Sequence, residues 1–160
     1  MLRLAPMSEA EFAEFLERAV SRKSAKWVER GLWAPEEALE TCRRDYAEFL
    51  PEGLATPHHH FCWLVDASTA ARVGEVWYMA PVQGGKVQFW VNWISVDPEH
   101  RRHGYATEAL RLLEEEARTL GADRTLLTVW ADNPGAMALY ARLGYVPSNM
   151  NLVKRLSAPG

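Results

Sequence analysis

The chain has 160 residues, 48% of them hydrophobic and 24% charged, with a formal net charge of −3. That length suits one domain spanning 1–160, with a core large enough to fold without disulfides or metals. The charge balance excludes a protein built to coat nucleic acid, which would be strongly basic.

Cys42 and Cys62 show no CxxC or Cys/His zinc spacing. Both read as buried free thiols of a reducing compartment, and no metal is expected. The N-terminal MLRLAPMSEAEF lacks the long apolar run of a signal peptide. No apolar stretch approaches the ~18 residues of a membrane span. No membrane partner is expected, and a cytoplasmic location follows by default.

In chain order, Leu2 to Ala5 reads as a short strand. Ser8 followed by Glu11 fits a capping box, with Met7 and Phe12 at the positions of a hydrophobic staple. The helix they open carries Phe12, Phe15, Leu16 and Ala19 on one face. A second helix starts at Pro35, where a missing N–H costs nothing, and ends before Pro51. Its predicted stripe is Leu39, Cys42, Tyr46, Phe49 and Leu50. Strands follow at Phe61 to Asp66, Arg72 to Val82 and Lys86 to Val96, the last two around the tight-turn signal Gly84-Gly85. Pro81 should end regular pairing near Ala80. Trp63, Trp77, Trp90 and Trp93 read as sheet and core packing.

From Gly104 to Leu120 the apolar residues Ala106, Ala109, Leu110, Leu113, Ala117 and Leu120 recur at helical spacing, and Gly121 is a natural C-terminal stop. Arg124 to Ala131 reads as a strand. Asn133-Pro134 opens a short helix that Gly144 ends. Asn151 to Leu156 is expected as a final strand. Alternating strand and helix in this half implies a crossover and a partly parallel sheet.

The chemistry concentrates at Trp93-Ile-Ser-Val-Asp-Pro-Glu-His-Arg-Arg-His-Gly-Tyr-Ala106. A strand ends, a polar turn follows, and a long helix begins. Free N–H groups at a helix start attract anions. Gly104 allows close approach, and Arg101 and Arg102 add charge, a set that suits a pyrophosphate. Neither the P-loop nor the Rossmann glycine pattern occurs. A charged helix entry that merely favours solubility is the competing reading.

Val96-x-Pro98-x-x-Arg101-Arg102-x-Gly104-x-Ala106 resembles the acetyl-CoA-binding motif of the GNAT superfamily, R/Q-x-x-G-x-G/A. Asn133-Pro-Gly-Ala136-Met-Ala-Leu139-Tyr140-Ala-Arg-Leu143-Gly144-Tyr145 resembles the later motif of the same family. Leu50-Pro-Glu-Gly53 with Thr56-Pro-His-His-His60 is similar to a bacterial subgroup of it. The resemblance covers nearly the whole chain. It implies an α/β (α+β) GNAT fold: a mixed central sheet of about six to seven strands, about four flanking helices, and a splayed strand pair that takes the cofactor.

By that resemblance the backbone of Ile94, Ser95 and Val96 holds the pantetheine arm of acetyl-CoA. The amides of Arg101, Arg102, His103, Gly104, Tyr105 and Ala106 hold the pyrophosphate, with Thr107 at the edge. Asn133 contacts the cofactor near its thiol end, and Tyr140 faces the sulfur and protonates the leaving thiolate. The acceptor is an amine of a small molecule or peptide, shaped by the segment Trp27 to Ala34 and the last strands. A homodimer is compatible with the family.

The base is the point of departure. Many relatives carry Asp or Glu where this chain has Asn92 and Trp93. Glu75, on the preceding strand, is then the expected base, its carboxylate losing hydration beside Trp77 and Trp90. His58, His59 and His60 are the other candidates, although adjacent strand residues face opposite sides. A non-catalytic acyl-CoA-binding regulatory module is the alternative to an N-acetyltransferase.

Overall fold

The structure is a computed structural model and describes residues 1–154 and 156. They fall into two compact units that divide after Thr128. The first unit holds, in order, β1 (Leu2–Pro6), α1 (Glu9–Glu29), α2 (Pro35–Phe49), β2 (His59–Asp66), β3 (Arg72–Met79), β4 (Val82–Gln83), β5 (Lys86–Val87), β6 (Phe89–Val96), α3 (Tyr105–Thr119) and β7 (Thr125–Leu127). The second holds α4 (Pro134–Arg142).

The helix starts follow from local chemistry. At α1 the Ser8 hydroxyl accepts from the Glu11 N–H, and the Glu11 carboxylate accepts from the Ser8 N–H at 2.8 Å. Met7 and Phe12 are both buried, as a staple requires. Pro35 occupies the first turn of α2. The buried stripe of α2 is Ala38, Cys42 and Tyr46, whereas the predicted Leu39 and Phe49 are exposed. Ala38, Cys42 and Tyr46 are spaced four apart and share one face, from which Leu39 is turned by about 100°.

Five strands form the main sheet in the order β1-β2-β3-β6-β7, and β4 and β5 make a separate ribbon. All main-sheet neighbours are antiparallel except β6 and β7, so the sheet is mixed. With the ribbon, the described residues contain seven strands and four α-helices. The two long predicted strands are each cut short. Pro81 stops β3 at Met79, and Gln88 turns back to donate its N–H to the Pro81 carbonyl at 2.8 Å, which separates β5 from β6. Gly84 and Gly85 both take the left-handed conformation that the ribbon's turn requires.

The sheet is apolar on both faces. One face packs Phe61 and Trp77 against Phe12, Phe15, Ala19 and Val20 of α1 and Cys42 and Tyr46 of α2. The other packs Cys62, Leu64, Val76, Tyr78, Phe89 and Val91 against Ala109, Leu113 and Ala117 of α3. Each large side chain so buried contributes about 1.5–3 kcal/mol. β3 is central to both clusters and is buried along nearly its whole length.

β7 spans only Thr125–Leu127, against the predicted Arg124 to Ala131. The expected last strand is not formed at 151–154 or at 156. These residues are exposed and pair with no strand among the described residues, and Arg155 lies outside them. Their apolar side chains, such as Leu152 and Val153, meet solvent, so periodicity there has no buried face to serve.

Gly74 marks the tightest approach in the sheet. A Cβ at this position would collide with the backbone carbonyl oxygen of Ser95 on β6. Gly74→Ala should therefore push β6 away from β3 and destabilise the protein by about 1–3 kcal/mol. Urea denaturation checks this, with Val73→Ala as the control for an ordinary loss of buried volume in the same strand.

Candidate functional site

The site is built from β6 outward. Against β3, Trp93 pairs with Trp77 and Val91 pairs with Tyr78, so Asn92 is the extra residue of a β-bulge. Against β7, β6 pairs only through Phe89, Trp90 and Val91. Both irregularities fall at the same residue. From Asn92 to Val96 the strand keeps β3 on one side and pairs with no other strand among the described residues. A bulge bends its strand and ends pairing, which is how an internal strand acquires an open edge. Backbone N–H and C=O groups along such an edge remain free to bind an extended ligand. Ile94, Ser95 and Val96 lie in this segment, the Val96 carbonyl already accepting from Arg101 Nε. At its head, the Asn92 side-chain nitrogen Nδ2 is buried and has no hydrogen-bond partner among the described residues.

β6 leads into a one-turn 3-10 helix, Pro98–His100, and then into α3. Arg102 has φ 66° and Gly104 has φ 82°. Left-handed residues in such a bend turn successive N–H groups toward one concavity, an anion nest. No backbone acceptor among the described residues meets the N–H groups from Arg102 to Thr107. Nor does a side chain cap the start of α3, whereas Ser8 caps α1 and Asn133 caps α4. A Cβ on Gly104 would meet nothing within 4 Å, so the space above it is open. The residues therefore fit a pyrophosphate on the tests of free donors and free volume.

Side chains anchor this open helix start from behind. The Tyr105 hydroxyl donates to Asp66 Oδ2 at 2.6 Å, and Glu108 Oε1 accepts from the Leu2 N–H at 2.6 Å. The Ser68 hydroxyl and N–H also donate to Asp66, which with Tyr105 holds that carboxyl well below the usual range. Arg101 Nε donates to the Val96 carbonyl at 3.1 Å, joining the loop to the end of β6. His103 sits exposed, with Nδ1 3.2 Å from the His100 carbonyl.

Glu75 is buried, as its position on β3 suggests, but it is not isolated. Arg18 of α1 donates to Oε2 at 2.7 Å, and the Trp93 indole N–H donates to Oε1 at 3.1 Å. The Arg18 side chain is 44% exposed against 8% for Glu75, so the pair lies at the rim of the α1 face. Arg22, one turn along α1, places its guanidinium 4.9 Å from the Trp93 ring centroid. Asp97 follows β6 directly. Burial raises its carboxyl above the usual value, and the charges of Glu99 and Glu75 act in the same direction.

The histidine run separates by strand alternation. His59 accepts from the Trp77 indole N–H at 3.0 Å, beside Phe49 and Phe61. His60 stacks on Tyr78 at 4.7 Å. Burial lowers both imidazoles below their ordinary value. In the segment predicted to shape the acceptor, Trp27 and Trp33 stack at 5.0 Å. The Lys23 ammonium lies 5.7 Å from the Trp33 centroid.

In the second unit, Asn133 Oδ1 accepts from the Ala136 N–H at 3.1 Å and so caps α4. Tyr140 lies on α4, its ring 5.7 Å from that of Tyr145. Burial raises its phenol above the usual value, with Tyr145 as the lesser cause.

A family model described as "Acetyltransferase (GNAT) family" matches residues 24–145, which include the open edge of β6, the anion nest and α4. The chain belongs to the GNAT acetyltransferase family. "Uncharacterized N-acetyltransferase YycN" of Bacillus subtilis (strain 168) is 30% identical over 155 residues, covering 97% of this chain and 99% of that protein. "Uncharacterized N-acetyltransferase YdgE" of the same organism is 31% identical, covering 96% and 97%. The crystal structure of YycN superposes with a TM-score of 0.90 at 29% identity, covering 99% of this chain and all of that one. A Pyrococcus furiosus structure shares the fold at TM-score 0.72 and 23% identity.

Within this GNAT frame, Ile94 to Thr107 run from the open edge of β6 through the 3-10 turn to the uncapped start of α3. Three features escaped the sequence reading. Arg18 and Trp93 close around Glu75 from distant segments, with no sequence signal linking 18, 75 and 93. Asp66 reaches Tyr105 across 39 positions. The bulge at Asn92 has no glycine to mark it.

The Arg18–Glu75–Trp93 arrangement should carry stability apart from any role in turnover. Glu75→Gln breaks a charge-assisted hydrogen bond at a largely buried site, and the expected loss is about 1–3 kcal/mol. Arg18→Gln should cost at least as much, because it leaves the buried Glu75 carboxylate with the Trp93 indole N–H as its remaining donor. Chemical denaturation of the two variants gives the comparison, and equal stability of Glu75→Gln and the parent would contradict it.

Proposed function

We propose that this protein transfers the acetyl group of acetyl-CoA directly to a primary amine of a small-molecule or peptide acceptor, with residues 1–160 acting as one GNAT domain. One observation carries the reading: the open edge of β6 runs without interruption into the uncapped, nest-forming start of α3. An extended thiol arm and a pyrophosphate need those two features in that order. Family membership and the full-length likeness to YycN support it.

Acetyl-CoA supplies an activated thioester when bound. In this reading the backbone of Ile94, Ser95 and Val96 aligns its arm. The N–H groups from Arg102 to Thr107, with the charge of Arg101 and Arg102, hold its pyrophosphate. Asn133 and Tyr140 take their roles from the motif they belong to. Tyr140 keeps its proton well past neutral pH because its phenol is raised, so it serves as the acid for the departing sulfur. Glu75 takes up the amine's proton, directly or through water, on a carboxylate lone pair that the Arg18 and Trp93 donors leave free.

Two substitutions test these roles. Gly104→Val puts a branched side chain on a residue at φ 82° and into the open space above the nest. Strain and obstruction act together, and the Kd for acetyl-CoA should rise at least about tenfold by calorimetry. Equal affinity in that variant means the pyrophosphate binds elsewhere.

Tyr140→Phe keeps the ring and removes the hydroxyl. Thiol release with an amine panel should show kcat reduced on the order of 10²-fold at nearly parental acetyl-CoA affinity. Because the Tyr140 phenol is raised, the parent should show no loss of the acid form between pH 7 and 9. Acetyl-CoA binding by the parent with no thiol release for any amine would instead identify an acyl-CoA-binding module.

A further inference from the structure

The bulge on β6 leaves a group that the fold itself does not use. Nδ2 of Asn92 is closed off from solvent and reaches no acceptor among the described residues. A buried amide left in that state costs about 1–3 kcal/mol, which an apolar side chain of similar size would avoid. Buried polar groups in folded proteins nearly always have a partner; Trp63 Nε1 shares the state of Asn92 Nδ2, so the place of Asn92 in the sheet carries the argument. Here the position is particular. Asn92 is the bulged residue against β3 and the first residue beyond the last β7 pair. It therefore stands at the point where the sheet opens.

The chemistry of the group narrows its partner. An amide nitrogen only donates, so the missing partner is an acceptor that arrives with a ligand. In acyl transfer to an amine, the amine's lone pair is consumed by the new C–N bond. The sulfur is served by an acid. The acyl oxygen remains, and it gains negative charge as the C–N bond forms, then loses it as the C–S bond breaks. The amine's proton leaves to the base, and the sulfur takes one from the acid. A donor to that oxygen transfers nothing and forms no covalent bond.

We propose that the Asn92 side chain is a catalytic residue that donates a hydrogen bond from Nδ2 to the acyl oxygen, beside a backbone N–H of the open β6 edge. The assignment rests on the acetyl-transfer reading above.

Asn92→Leu and Asn92→Ala test this with three measurements. Thiol release should fall on the order of 10²-fold or more in kcat, with acetyl-CoA affinity within about twofold of the parent. The melting temperature of ligand-free Asn92→Leu should equal or exceed that of the parent, because the substitution removes an unpartnered buried amide. In the infrared spectrum of bound acetyl-CoA labelled at the carbonyl carbon, the thioester stretch should move to higher frequency in Asn92→Ala, as it does when a donor is lost. A kcat within about threefold of the parent in both variants, or an unmoved carbonyl stretch, overturns the assignment. So does a lower melting temperature in Asn92→Leu that Asn92→Ala shares, since it would mean that the amide has a structural partner. A parent that neither binds acetyl-CoA nor releases thiol overturns the acetyl-transfer reading and this assignment with it. A parent that turns over beside unaffected variants overturns only the role of Asn92.

Discussion

The structure depends on one failure of strand pairing. β6 holds to β3 along its length but leaves β7 after Val91, at the bulge on Asn92. An internal strand normally spends its backbone hydrogen bonds on both neighbours. Here Asn92 to Val96 pair with no second strand among the described residues, and the Val96 carbonyl is taken by Arg101. The cost of an unpaired edge is tolerable because β3, on the other side, is packed on both faces. Gly74 lets the two strands approach closely where the edge is open.

The same economy governs the start of α3. A helix that is to receive an anion cannot be closed by its own cap, and α3 has none. Its orientation is held instead by contacts on the sides that a ligand would not occupy. Tyr105 reaches Asp66 at the end of β2, and Glu108 reaches the backbone of Leu2 at the start of β1. Both bonds tie the first turn to the sheet while leaving the N–H groups from Arg102 to Thr107 unengaged. Arg101, through Val96, keeps the loop continuous with the strand that feeds it. Open edge and open helix end are thus positioned as one surface within the first unit.

On the opposite face, α1 brings charge to the sheet. Arg18 and Glu75 form a pair at the rim, with Trp93 as a second donor and Arg22 resting on its ring. A carboxylate at 75 would be costly under α1 without these partners. Their presence means that Glu75 holds α1 against β3.

Local patterns in the sequence determined much of this protein. The capping box at Ser8, the proline openings of α2 and α4, the periodicity of α3 and the Arg101-to-Ala106 run all act between residues near one another in the chain, so their effects are legible there. Element order followed, and with it the mixed sheet and the family. What tertiary structure alone decided is where distant segments meet. The length of β7, the bulge at Asn92, the closure of Arg18 and Trp93 on Glu75, and the reach from Asp66 to Tyr105 depend on strand register and on packing across the sheet. Periodicity carries no information about register between strands, and a polar residue in a strand does not announce whether its partner lies in the protein. For that reason the strand, turn and helix start from residues 94 to 107 could be read as one motif, while the surroundings of Glu75 and the unpartnered amide of Asn92 became visible only once the chain was folded.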